Sequence, residues 1–169
     1  MTADLMGDDE VLRCFKKATE ACRLFPYGVE EEFQWHMAFL LAQATPMSIT
    51  REQRTQCNYY TDEVTSLLVR ADNPVRGHRR SPGYLDIVCS RDRDKWMIEL
   101  KYPRSKKQAQ YYGIGLRRDL QKLQDASDAT RLYELCLIRE ENYDAFNSEM
   151  LECEKERLLE GVCYCIGTY

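Results

Sequence analysis

Asp86, Glu99 and Lys101 are the residues of this chain whose types and spacing bring chemistry together. Asp86 lies in Gly83-Tyr84-Leu85-Asp86-Ile87-Val88-Cys89, and the other two in Trp96-Met97-Ile98-Glu99-Leu100-Lys101-Tyr102. Both segments read as strands, joined by the charged turn Ser90-Arg91-Asp92-Arg93-Asp94-Lys95. A turn centred between Asp92 and Arg93 places Asp86 opposite Glu99, with Cβ atoms about 4.5–5.5 Å apart. Glu99 and Lys101 are two residues apart and share one strand face. Like charges directly opposite destabilise a hairpin, and a divalent cation between the carboxylates removes that repulsion. Leu85, Ile87 and Cys89, with Ile98 and Leu100, are expected to form an apolar face, leaving the other face for the chemistry. The bland alternative is an exposed hairpin whose three charges pair as surface salt bridges, which are worth little.

The elements that must position this hairpin follow from periodicity. Residues 9–24 read as a helix with Val11, Leu12, Phe15, Ala18 and Cys22 on one side. Pro26-Tyr27-Gly28 breaks it. A second helix is expected over 29–44, with Phe33, Met37, Leu40, Leu41 and Ala44 at helical spacing. Residues 47–62 carry no clear period, and Thr50-Arg51-Glu52-Gln53 resembles a capping box that would open a short helix. Residues 63–70 read as a strand, followed by a basic loop and the hairpin. Beyond it the pattern gives a helix over 107–125, a strand over 131–138, a helix over 142–159 and a strand over 162–166. Helices on both sides of a mixed sheet are the expected packing.

At 169 residues, with 44% hydrophobic and 31% charged residues, the chain reads as one soluble domain spanning 1–169. The net charge of −4 argues against a generic nucleic-acid coat protein, which would be basic. It leaves room for an enzyme that meets nucleic acid at a local basic patch. No apolar run approaches the roughly 20 residues that span a bilayer, and the acidic N-terminal segment lacks a signal-peptide pattern. An intracellular, cytoplasmic protein with no membrane partner is the expectation. The eight cysteines contain no C-x-x-C pair, and no histidine pair completes a zinc pattern. Buried free thiols are expected, with Cys89, Cys136, Cys163 and Cys165 acting as small hydrophobes in strands.

Leu85-Asp86, twelve residues, then Glu99-Leu100-Lys101 resembles the PD-(D/E)XK nuclease superfamily. That group includes restriction endonucleases, Holliday-junction resolvases and recombination exonucleases. Its usual proline before the aspartate is Leu85 here. The resemblance covers residues 29–138, about two thirds of the chain. It implies an α/β, restriction-endonuclease-like fold: a mixed central β-sheet flanked by helices, in the core order α-β-β-β-α-β. The remaining helices and the C-terminal strand would be additions at the two ends.

The resemblance also implies roles. Asp86 and Glu99 would hold Mg²⁺ or Mn²⁺, with the backbone carbonyl of Leu100 as a further ligand, and Lys101 would complete the catalytic set. The family tends to place a glutamate on its first core helix. Glu30, Glu31 and Glu32 are the candidates, and helical phase selects Glu30, which falls beside Phe33, Met37 and Leu41. The alternative is that all three serve the helix macrodipole. The implied reaction is phosphodiester hydrolysis in nucleic acid, DNA ahead of RNA, by a chain that dimerises if it cuts two strands.

Basic and aromatic residues cluster on both sides of the motif. Arg76, His78, Arg79, Arg80 and Tyr84 precede Asp86, while Arg104, Tyr111 and Arg118 follow Lys101. These are the candidate nucleic-acid contacts, through phosphate charge and base stacking; a solvated surface is the alternative for any one of them. Asp119-Leu120-Gln121-Lys122-Leu123 also looks like family members. His36 is expected to be packed or half-exposed. Two other functions compete with a nuclease. One is a non-catalytic subunit of the same fold that binds nucleic acid or a protein. The other is a cysteine-based redox or metal sensor, against which the absence of paired cysteine motifs counts.

Overall fold

Asp9 sets the first helix. Its carboxylate accepts the amides of Val11 and Leu12 at 2.9 and 3.2 Å, which satisfies two of the free donors at the helix start. The Tyr133 hydroxyl donates to the same side chain at 2.7 Å and ties the cap to the sheet. The computed structural model describes residues 9–60, 80–103 and 112–169. Its elements are α1 (Glu10–Leu24), α2 (Glu30–Ala44), β1 (Ser48–Tyr60), β2 (Arg80–Arg91), β3 (Asp94–Lys101), α3 (Tyr112–Gln124), β4 (Arg131–Ile138), α4 (Tyr143–Lys155) and β5 (Val162–Thr168).

The five strands form one mixed sheet in the order β1-β2-β3-β4-β5. β1, β2 and β3 are antiparallel neighbours. β3, β4 and β5 run parallel, with α3 and α4 as the crossovers that parallel strands require. The β2–β3 ladder pairs Arg91 with Asp94 and continues to Ile87 with Ile98, the register that the Asp92–Arg93 turn centre gives. Asp92 takes φ +55°, as two-residue hairpin turns demand.

Four helices cover both faces. On one side α1 and α2 pack Val11, Phe15, Phe33, Met37 and Leu41 onto Ile87, Cys89, Ile98 and Leu100. On the other, α3 and α4 pack Leu116, Leu120, Leu123, Phe146 and Met150 onto Leu85, Val88 and Met97. This corrects one expectation: Leu85 belongs to the second cluster, not with Ile87 and Cys89. The face that carries the charges lies under α3, which speaks against the alternative of an exposed hairpin.

The possible short helix at 50–53 is also overturned. Ser48–Tyr60 is a long strand paired with β2, and a local capping pattern cannot compete with so extended a ladder. What remains of the conflict is Glu52, at φ +53°. The strand expected at 63–70 lies outside the described residues. α4 stops at Lys155 rather than 159, with Gly161 at φ +74° in the turn before β5. All eight cysteines are free. Cys163 is exposed rather than buried, because β5 is an edge strand. No helix among the described residues is long and apolar enough to cross a membrane.

Candidate functional site

β2 and β3 part just beyond Ile87 and Ile98, and the site forms where they separate. The Leu100 amide donates to Asp86 Oδ2 at 2.7 Å. The other oxygen, Oδ1, accepts from Gln34 Nε2 at 2.9 Å. Gln34 in turn accepts from Arg51 Nη2 at 2.9 Å, and the Arg51 guanidinium stacks on Trp35 at 3.9 Å from the ring centroid. Asp86 is thus fixed from α2, β1 and β3 at once. Burial pushes its pKa up to about 6, with Asp119 adding to the rise against Lys101, Lys122 and the Leu100 amide.

Glu99 and Lys101 point to the side covered by α3. Lys101 is ion-paired with Asp119, and Lys122 donates to Glu99 Oε2 at 2.7 Å and to Asp119 Oδ1 at 2.9 Å. Asp119 and Lys122 lie three residues apart on α3, so one helical turn delivers both into the sheet. Glu134 on β4 sits in register with Glu99 and is fully buried. Its Oε1 accepts a weak bond from Cys136 Sγ at 3.6 Å. Glu30 reaches the end of β3, where its Oε2 accepts the Tyr102 amide at 2.8 Å.

The charges do not balance. Asp86, Glu99, Asp119, Glu134 and Glu30 supply five acids to two ammonium groups, Lys101 and Lys122. Desolvation raises the Glu99 carboxyl well above its ordinary range, and Asp86 and Asp119 add to it. Burial pushes Glu134 up to about 8. Asp119 behaves oppositely. Burial acts to raise it, yet Lys101 and Lys122 outweigh that and hold it below the usual range. Burial would lower Lys101, but Asp119, Glu30 and Asp86 hold it charged, well above the ordinary lysine value. Glu99 Oε1 and Glu134 Oε2 are buried and accept no hydrogen bond among the described residues.

The sequence-derived candidates fall into three groups. Asp86, Glu99, Lys101, Leu100 and Glu30 come together at the β2–β3 divergence. Tyr84 is exposed at its rim, and its carbonyl accepts from Lys122 at 3.0 Å. Arg118 is half-buried on α3 beside Asp119, and Arg80 starts β2 opposite Tyr60. Arg76, His78, Arg79, Arg104 and Tyr111 lie outside the described residues. His36 is half-buried, with Nδ1 at 2.6 Å from the Tyr27 hydroxyl, away from the charged cluster. Gln34, Arg51 and Glu134 were not anticipated, and Asp119 and Lys122 were noted only as part of a pattern. Glu134 carries a readable signal, a lone charge inside the apolar run Leu132–Ile138.

The donors suit a hard cation in one sense. Among the described residues no three His, Cys, Asp or Glu side chains converge as a metal cluster. Mg²⁺ does not need such a cage, since it binds through one or two carboxylates plus waters and substrate phosphates. Asp86 and Glu99 flank the strand divergence, and Glu99 Oε1 is an unused oxygen. No family model, curated protein or solved structure matches this chain.

Proposed function

We propose that this protein is a metal-dependent nuclease that hydrolyses phosphodiester bonds in nucleic acid, DNA ahead of RNA. One observation carries the reading: at the strand divergence, buried acids outnumber ammonium groups, with Asp86 and Glu99 on adjacent strands and Lys101 beside them. A divalent cation would relieve that excess by charge neutralisation. The element order α2-β1-β2-β3-α3-β4 reads helix, three strands, helix, strand, and so agrees with the resemblance in Leu85–Lys101.

Asp86 and Glu99 would hold Mg²⁺ or Mn²⁺, with the Leu100 carbonyl and, at the mouth, Glu30 as further oxygen donors. The bound ion supplies Lewis-acid polarisation of the phosphate and a water of lowered pKa. Gln34 and the Leu100 amide keep the Asp86 carboxylate aimed and biased toward its charged form. Lys101 orients the attacking water and stabilises the negative charge that develops on the phosphate. Asp119 keeps Lys101 charged and limits its rotation. Tyr84 and Arg118 meet the nucleic acid at the rim.

The test is incubation with single-stranded and duplex DNA and RNA in Mg²⁺, Mn²⁺ or EDTA. Metal-dependent cutting that Asp86→Ala and Lys101→Ala abolish is expected. Failure to cut any of these substrates with either ion would overturn the reading. A second reading, a non-catalytic subunit of the same fold that binds nucleic acid or a protein partner, is favoured by one feature. Lys101 and Lys122 are already engaged with Asp119 and Glu99, a network that closes without a metal. Nucleic-acid binding unaffected by EDTA and by Asp86→Ala, with no cutting, would support it.

A further inference from the structure

Lys122 occupies an unusual place for a lysine. Its ammonium is almost wholly buried, and its three protons meet Glu99 Oε2 at 2.7 Å, Asp119 Oδ1 at 2.9 Å and the Tyr84 carbonyl at 3.0 Å. Two carboxylates and a backbone carbonyl are the hard oxygen donors that a divalent cation takes. Beside them Glu99 Oε1 and Glu134 Oε2 are buried without partners. Glu99 is 1% exposed and Glu134 0%, and the two are paired in register across β3 and β4. Glu99 thus keeps one oxygen that the ammonium does not use.

We propose that Lys122 is a built-in counter-cation filling a divalent-metal cage formed by Glu99, Asp119 and the Tyr84 carbonyl, and that it gives way when Mg²⁺ or Mn²⁺ enters. The exchange replaces one unit of positive charge with two, where five acids face two lysines. The lysine has somewhere to go. A cleft of about 90 Å³ opens beside it, lined by Gln53, Thr55, Leu85 and Asp125. The proposal rests on the nuclease reading in one respect, that Glu99 carries a metal ion, and it adds that the resting site excludes the ion by an internal competitor. A metal that binds must displace Lys122, so affinity in the absence of nucleic acid is held down.

Thermal melts of the whole chain, Lys122→Met and the Lys122→Met/Glu99→Gln pair, in EDTA and in Mn²⁺, test this. Wild type is expected to respond weakly to Mn²⁺. Lys122→Met is expected to melt lower in EDTA, because Glu99 loses its counter-ion and Asp119 one of its two, and to recover with Mn²⁺. Its Mn²⁺ affinity by calorimetry should exceed wild type by roughly tenfold or more, given the strength of a close like-charge repulsion in a buried site. The double variant should not recover, since one wall of the cage has lost its charge. A Lys122→Met chain that melts alike in Mn²⁺ and EDTA, or stays unfolded in both, overturns the proposal. Cutting by wild type is scored separately. Rescue without cutting leaves the cage and removes the nuclease, and cutting without rescue does the reverse.

Discussion

Glu134 decides how the site responds to pH. Its carboxyl is fully buried beside Glu99, and burial pushes it up to about 8 from the ordinary 4.5. An acid raised on folding is protonated in the native chain while the unfolded chain has already released its proton. Stability is therefore greatest at low pH in this window and falls as pH rises from about 4.5 toward 8. Asp86, raised to about 6, acts in the same direction over the lower part of that range. Melts of the metal-free chain should fall between pH 6 and pH 8. Glu134→Gln should flatten that slope and raise the melting temperature at pH 8, by about 1–3 kcal/mol or roughly 2–10 °C. A variant that melts lower than wild type at pH 8 would show that the charged form is the one the fold uses. Residue chemistry was partly readable beforehand. The ladder register as far as Ile87–Ile98 followed from the centre of one turn, though β2 and β3 part before Asp86 and Glu99 can pair, and the place of Glu30 followed from helical phase. The partners of Lys101 and Lys122 were not readable, because Asp119 meets them only after α3 docks on the sheet.

The strand β2 depends on a glycine at the edge of the site. A Cβ on Gly83 would lie 2.6 Å from Tyr59 Cε2 and 3.0 Å from Lys122 Cδ. Tyr59 cannot simply swing away, because its hydroxyl donates to Asp125 Oδ2 at 2.9 Å and links β1 to the end of α3. Gly83→Ala should cost about 1–3 kcal/mol as overpacking, seen as a lower denaturation midpoint with an unchanged slope. An unchanged midpoint would mean that β1 and Lys122 repack freely. Elements with a strong local pattern were legible: β4 is found at Arg131–Ile138 as the apolar run predicts, and α1 at Glu10–Leu24. β1 was not, because Ser48–Tyr60 is polar and held by its ladder with β2 rather than by its own alternation. The same long-range reason hid the covered side of the hairpin. Alternation tells which residues share a face but not which helix lies over it.

Among the described residues the chain is a five-stranded mixed sheet between two helical layers, and its buried acids, Glu99, Asp119 and Glu134, gather where β2 and β3 diverge. On the proposed reading, the surplus of acids over ammonium groups is what would draw a divalent cation to this place. The central claim is that this surplus serves phosphodiester hydrolysis. Its most direct test is the single-turnover cutting rate of wild type, Asp86→Asn, Glu99→Gln and Lys101→Met in Mn²⁺, on whichever nucleic acid wild type cuts, with a melt of each variant beside it. The prediction is a metal-dependent rate that each substitution lowers by roughly 100-fold or more, in chains that remain folded. Folded variants that cut as fast as wild type would contradict the assignment.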